Sequence, residues 1–324
     1  MHPAFSVIFF TVISGCGYGL LFLLGIALAA NPRLFTGAEA MLVLATGAIF
    51  SAGGLTSSLF HLGQPQRAWR ALSQWRSSWL SREGVAAMSS FVPVLALAAT
   101  LWRGDSGAMV RVAAAALAVM AVVTVCCTAK IYTSLKTIRA WHNGLALPGY
   151  LAFALLGGAV MLWMLLAARG SDDALVRTNL PVTVAILAAA CAVIKREYWL
   201  FVDTAPAVST AESATGLGGF GTVRGVEAPH TEENYLTREM GFVLARKHAA
   251  RLRMIALVSF ALLPVALAAL AMVLQSITLV TICAVVVALS VSAGTFVERW
   301  LFFAEAKHVV MLYYERGLRA EAEG

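Results

Sequence analysis

Residues 254–297, MIALVSFALLPVALAALAMVLQSITLVTICAVVVALSVSAGTFV, contain no charged side chain. At about 1.5 Å per residue, one helix of that length would cross the roughly 30 Å hydrocarbon core of a bilayer about twice, so the run must fold back on itself. Gln275-Ser276 is its polar interruption, and the run therefore reads as two spans joined by a tight turn. Composition agrees. The 324-residue chain is 60% hydrophobic and 13% charged, a balance that a multispanning membrane protein requires and a soluble domain does not. Only helices or closed barrels satisfy every backbone polar group in lipid, and uncharged runs of this length are helical.

The same count extends towards the N-terminus. Spans are expected over residues 5–30, 39–61, 85–101, 110–131, from Pro148 to about Ala168, and over 181–194, which with the last two makes eight. Gly15, Gly17 and Gly19 give the first span a small-residue face for close helix packing. Ile13-Ser14-Gly15-Cys16 resembles a lipoprotein cleavage box, but no Lys or Arg precedes it and the apolar run continues to Ala30, so it reads as an uncleaved first span. The fold class is all-α integral membrane. Residues 1–135 form the first four spans with a loop at 62–83, 136–199 hold spans five and six, and 200–253 form a long loop. Residues 254–304 hold spans seven and eight, and 305–324 form an interfacial tail that continues the aromatic and charged run from Glu298.

The net charge of +7 comes from short loops between apolar runs, which excludes a nucleic-acid surface and points to membrane topology. Arg67, Arg70, Arg76 and Arg82 lie in the second loop, Lys130, Lys136 and Arg139 in the fourth, and Lys195, Arg196, Arg246, Lys247, Arg251 and Arg253 flank the sixth. The even loops are expected on the cytoplasmic face, and both termini are expected on the periplasmic face. The five cysteines all fall within apolar spans and form no C-x-x-C pair, so the protein is expected to carry no iron–sulfur cluster. His2, His61, His142, His230, His248 and His308 are terminal or in loops, so no haem held by paired mid-span histidines is expected. Gly216-Leu217-Gly218-Gly219-Phe220-Gly221 satisfies G-x-G-x-x-G, but it follows a polar loop rather than a strand and is not read as a nucleotide site.

Chemistry concentrates where the chain leaves the lipid, in SLFHLGQPQRAWRALSQWRSSWLSREG, residues 58–84. His61 closes one span and Glu83 opens the next, with four arginines between them. Their plainer reading is an interface pair with Arg67 or Arg82. The functional reading is a quinone site, because reducing a quinone moves two electrons and two protons and needs hydrogen-bond donors and a titratable path to water. His61 would donate, Gly63 permit close approach, Arg67 polarise and Glu83 relay protons. Tyr132 and Ser134, at the same face, would add donors, although an aromatic belt with basic anchors is the plainer reading of them.

The opening MHPAFSVIFFT, the segment HLGQPQRAWRAL…SWLSREG and KIYTSLKTIRAWHN together resemble the membrane-anchor subunit of the dimethyl sulfoxide reductase family, and within it the anchor of quinone-linked sulfite dehydrogenases. That resemblance implies two four-helix bundles, an inner-membrane location, and two partners on the cytoplasmic face: a molybdopterin catalytic subunit and a ferredoxin-like iron–sulfur subunit. It places the functional histidine on His61, with Gly63 and Arg67 as matched neighbours, and the functional acid on Glu83. It assigns Glu212 to Gly216 to contact with the iron–sulfur subunit, and Arg70, Arg76, Lys136 and Arg139 are taken as further docking residues. The expected function is electron transfer between the iron–sulfur partner and ubiquinone or menaquinone during sulfite oxidation. The alternatives are menaquinol oxidation for a dimethyl sulfoxide-type reductase and, from a different class, a solute or ion transporter, which the nearly charge-free spans disfavour.

Overall fold

The computed structural model describes residues 4–61, 64–204, 209–223, 248–274 and 276–313, without the side chains of His61 and Tyr313. Among these residues eight helical segments are long and apolar enough to cross a membrane. They are α1 (Phe5–Ala30), α2 (Gly37–Ser57), α3 (Trp79–Trp102), α4 (Ala108–Thr133), α5 (Ala146–Ala168), α6 (Leu180–Thr204, entered through a π turn at Leu175–Asn179), α7 (Ala249–Val273, with a π turn at Val258–Leu262) and α8 (Ile277–Ala304). Local chemistry sets several of the ends. Thr36 caps α2 in a reciprocal box with Glu39, which also accepts a hydrogen bond from Ser171 and so ties the first loop to the fifth. Gly104 and Gly170, at φ +70° and +77°, end α3 and α5 in the left-handed conformation that a side chain resists.

Helix α1 is the centre of the first half, packing on α2 and α4, and it also meets α5 and α8 of the second. The glycines expected to form one face instead serve different neighbours. A Cβ on Gly17 would meet Ser51 of α2, whereas one on Gly19 would collide with the Ala154 carbonyl oxygen of α5, opposite Gly158. Gly15 faces open space. In the second half α5 packs on α6 and α8, and α7 packs on α6 and α8.

Three helix ends differ from the sequence expectation. Helix α3 starts at Trp79 rather than near Val85, α6 continues ten residues past Ile194 to Thr204, and α7 starts at Ala249 rather than after Arg253, whereas α8 ends at Ala304 as expected and carries Glu298 and Arg299 within it. Stopping a span at its first charge fails here because the charges have partners inside the protein: Glu83 meets Thr128, Lys195 meets Glu298, and Arg253 meets Asp203 and Glu305.

The two expectations about sidedness cannot stand together. Ser57 Oγ donates to the Ser6 carbonyl at 3.2 Å, which puts the end of α2 beside the start of α1. Val309 N donates to the Thr137 carbonyl at 3.1 Å, and Ile138 bridges His308, which puts the end of the described chain on the fourth loop. The first described residues, the second and fourth loops and residues 305–313 therefore share one face, called here the basic face. An even number of spans requires this, so basic loops in the cytoplasm and termini in the periplasm exclude each other.

Candidate functional site

The first turn of α3 is fastened to the segment before it. Ser81 Oγ donates to the Ala71 carbonyl at 2.5 Å, and Arg82 donates through Nε to the Trp75 carbonyl and through Nη2 to the Arg76 carbonyl at 2.9 and 2.7 Å. One residue further round the helix, Glu83 points inward and is only 4% exposed. It does not pair with Arg67 or Arg82. The Thr128 hydroxyl of α4 donates to Glu83 Oε1, and it also lies 3.1 Å from the Thr124 carbonyl. Deeper in the same bundle the Tyr18 hydroxyl sits 3.4 Å from Ser90 Oγ. Thr128 and Tyr18 join Ser14, Tyr150, Thr295 and Arg299 around a cavity of about 20 Å³. That volume suits one water, with polar groups to bind it, and is far too small for a quinone ring.

A second cluster went unread in the sequence. Lys195 Nζ of α6 lies 2.7 Å from Glu298 Oε1 of α8, and Arg299 Nε lies 3.4 Å from Glu298 Oε2. All three residues are buried, with Glu298 entirely enclosed. Neither carboxylate oxygen of Glu298 has a well-directed hydrogen bond, so ionic attraction holds the group together. Aromatic faces supply the remaining compensation: Lys195 Nζ is 3.7 Å from the Tyr198 ring centre and the Arg299 guanidinium 3.9 Å from that of Tyr150. A cavity of about 10 Å³ adjoins Lys195, Tyr198, Glu298 and Arg299, so Arg299 lines both small cavities. The signal available in the sequence was spacing. Lys195 has aromatic residues three and four positions on, Glu298 has Phe302 four on, and no Gly, Pro or Ser occurs from Lys195 to Thr204 to end the helix early.

Where α6 and α7 meet the basic face, Arg253 Nη1 and Nη2 reach Asp203 Oδ2 and Oδ1 at 2.6 and 2.9 Å, and Nη2 reaches Glu305 Oε1 at 2.9 Å. Burial pushes the Glu305 carboxyl above the usual carboxylate range despite Arg253, and its Oε2 has no partner.

The other sequence-chosen residues are dispersed. Tyr132 is enclosed in an aromatic core, stacked on Tyr150 at 5.8 Å and edge-on to Trp141, Phe302 and Phe303. Ser134 is exposed and caps its own helix by donating to the Ile131 carbonyl at 3.0 Å. Arg67 is exposed, and Arg70 and Arg76 sit 5.5 and 5.4 Å from the rings of Trp69 and Trp75 on a segment with no buried residue. Lys136 is exposed, and Arg139 lies 5.1 Å from the Phe201 ring. Glu212 accepts from Val223 N at 3.2 Å and so braces its loop, Gly216 ends the single helical turn Ala211–Thr215 at φ +73°, and Phe220 beside it is 91% exposed. Hydrogen bonds from its own backbone N–H, then from the Thr210 side chain and Val223 N, hold the Glu212 carboxyl below the usual range. No strand precedes the G-x-G-x-x-G stretch among the described residues. His61 ends the short 3₁₀ helix Ser58–His61, but its side chain, and Gly63 entirely, lie outside the described residues.

Eight apolar spans, with small polar cavities between them and a basic, tryptophan-bearing segment at one end, are the features to be set beside known proteins. The model of the DMSO reductase anchor subunit (DmsC) family matches residues 1–304. The chain belongs to that family. It is 31% identical over 332 residues to a sulfite dehydrogenase subunit of Allochromatium vinosum, an alignment spanning 97% of this protein and 99% of that one. It is 26% identical over 166 residues to an anaerobic dimethyl sulfoxide reductase chain of Escherichia coli, spanning 50% of this protein and 58% of the other. The protein is thus a multi-pass inner-membrane anchor subunit.

Proposed function

We propose that this anchor exchanges electrons between an iron–sulfur partner and the quinone pool, in a complex whose molybdopterin subunit oxidises sulfite. The observation that carries the reading is Glu83, a buried carboxyl inside a membrane helix one residue from Arg82, hydrogen-bonded to Thr128, which lines a water-sized polar cavity. An ionisable group at that depth is costly and is retained for function by default. A quinone supplies two-electron, two-proton chemistry. The donor set fits the proton-exchanging end of such a site: Glu83 with Thr128 would hold and pass the proton, while His61, Gly63 and Arg67 would complete the headgroup side. No haem, cluster or molybdopterin is assigned to this chain. The iron–sulfur subunit would dock on the basic face through Arg70, Arg76, Lys136 and Arg139, and through the loop bearing Glu212, Gly216 and the exposed Phe220. The positive-inside rule places that face, and both termini with it, in the cytoplasm.

Sulfite is favoured because the sulfite dehydrogenase relative matches over nearly the whole length of both proteins. The second reading, menaquinol oxidation for a sulfoxide reductase, draws on the shorter match to the Escherichia coli protein.

The test is quinone-linked turnover of the assembled complex, normalised to dye-linked activity of the catalytic partner. His61→Ala and Glu83→Gln are each expected to lower the ratio at least about tenfold, the scale of losing a positioned proton-transfer group. Unchanged ratios in both would remove the quinone site from this segment.

A further inference from the structure

Among the described residues, every buried Ser, Thr, Lys, Glu or Arg side chain within a span lies in the half of its helix nearer the basic face. The set runs from Thr11 and Ser14 of α1 through Ser51, Glu83, Ser90, Thr124 and Thr128 to Lys195, Thr295, Glu298 and Arg299. The quinone reading uses the Glu83 end and leaves Lys195, Glu298 and Arg299 without a role. A buried ion pair adds little net stability compared with apolar packing of the same volume, because desolvation offsets its attraction. A structural account of the pair is therefore weak.

We propose that Lys195 and Glu298 form a buried proton relay that joins Glu83, through Tyr150 and the two small cavities beside Arg299, to the basic face at Glu305 and Asp203. The inference rests on the reading of Glu83 as the proton-exchanging group of the quinone site. Its geometry is a series of short steps. Thr128 bonds Glu83 and lines the cavity of about 20 Å³, which Tyr150 and Arg299 also line. Arg299 lines the second cavity too, with Glu298 and Lys195. The Trp199 ring then lies 5.4 Å from Lys195 Nζ and 5.6 Å from the Arg253 guanidinium, and Arg253 grips Asp203 and Glu305.

Along this line lie Trp199 Nε1 and Glu305 Oε2, buried without a hydrogen-bond partner, and the Tyr150 hydroxyl and both Glu298 oxygens, which have cations beside them but no well-directed hydrogen bond. Buried polar atoms are nearly always bonded, so a row of orphans beside water-sized cavities marks where waters would bridge. The groups facing the Lys195–Glu298 pair are Tyr150 of α5, Cys191 and Tyr198 of α6, Arg299 of α8, and Glu305 beyond it. Arg299 keeps its proton and acts as a positioning group, its charge balanced by Glu298.

In the direction of quinone reduction the partner's redox centre supplies two electrons and the basic face two protons. Glu83 gives up its carboxyl proton to the quinone and regains one through water and the Tyr150 hydroxyl from the Lys195 ammonium, a cycle run twice per quinone. The neutral amine is then reprotonated by water near Glu305. Quinol oxidation runs the same hops in reverse.

The experiment uses the assembled complex with Lys195→Arg, Tyr150→Phe and Glu83→Gln, measuring quinone-linked turnover per dye-active complex in H2O and D2O. Lys195→Arg keeps the buried positive charge but cannot release a proton, so a purely structural role predicts normal turnover and a relay predicts a loss of at least about tenfold. Tyr150→Phe removes one hydroxyl at constant shape and is expected to slow turnover and enlarge the solvent isotope effect. If Lys195→Arg fails to assemble, Tyr150→Phe decides alone. Normal turnover with an unaltered isotope effect in Tyr150→Phe, or normal turnover in Lys195→Arg, overturns the relay. With Glu83→Gln still impaired, that result leaves the quinone reading standing; normal turnover in Glu83→Gln removes the group the relay would serve and overturns the relay, and normal turnover in His61→Ala as well sinks the quinone reading itself.

Discussion

Glu298→Gln should destabilise the protein more than Lys195→Met, although each removes one member of the same 2.7 Å pair. The asymmetry follows from the third charge. At an effective dielectric of about 20, gross attractions to Glu298 are about 6 kcal/mol from Lys195 and about 5 kcal/mol from Arg299, much of which only offsets desolvation. Removing the carboxylate leaves two cations buried with only aromatic faces for compensation, so the cost should reach about 3–5 kcal/mol, the usual scale for a broken buried pair. Removing the lysine leaves Glu298 still 3.4 Å from Arg299, and methionine fills most of the vacated space, so about 1–3 kcal/mol is expected. The assay is unfolding in mixed micelles as the denaturing detergent fraction rises, followed by near-ultraviolet circular dichroism. Equal losses, or a larger loss for Lys195→Met, would show that Arg299 does not share the carboxylate and would refute this account.

Gly19→Ala should cost at least about 1–3 kcal/mol, since the new Cβ would run into the Ala154 carbonyl oxygen and push α1 away from α5. Gly15→Ala, with open space at its Cβ, is the matched control and should be near neutral in the same unfolding assay. Cysteines at Ser73 and Thr222 should react with an impermeant thiol reagent only from the cytoplasmic side, and one at Asp105 only from the periplasm. The reverse pattern would invert the topology.

The eight spans were legible because uncharged runs of bilayer length have few other uses. Three of their ends were not, for a physical reason: Glu83, Lys195 and Arg253 each look like the edge of a span when considered alone, and only Thr128, Glu298 and the Asp203 and Glu305 carboxylates make their place inside a helix tolerable. Glu83 was legible as a residue but its surroundings were not. Thr128 follows Thr124 by one turn in an apolar helix, a pattern that ordinarily means a threonine bonding back to its own helix. Thr128 lies in reach of that backbone carbonyl and also donates across to α3. Tyr132 and Ser134 show the opposite failure. Proximity in sequence to a basic cluster suggested a shared site, but helical geometry turns the tyrosine into the aromatic core and leaves the serine on the surface. The placement of the termini failed on parity, since after eight spans the chain returns to the face from which it began.

Buried charge also bears on the transporter alternative. The spans are less free of charge than the sequence suggested, which removes the reason first given against transport and calls for a better one. A transporter's site is reached in turn from both faces and lies near the midplane, commonly at broken helices. Here, counting helix rise from the basic-face end, Glu83 lies about 6 Å in, Arg299 about 8 Å and Lys195 about 14 Å. Beyond that depth no buried charged side chain occurs among the described residues, and the opposite half is closed by apolar contacts such as Leu24, Leu28, Leu44, Val110 and Leu166. Under the proposed relay, polar groups that begin at one face and stop near the middle would let protons in and out by a single door. An anchor receiving electrons on the same face would need only that door, whereas a carrier of ions or solutes would need a second opening.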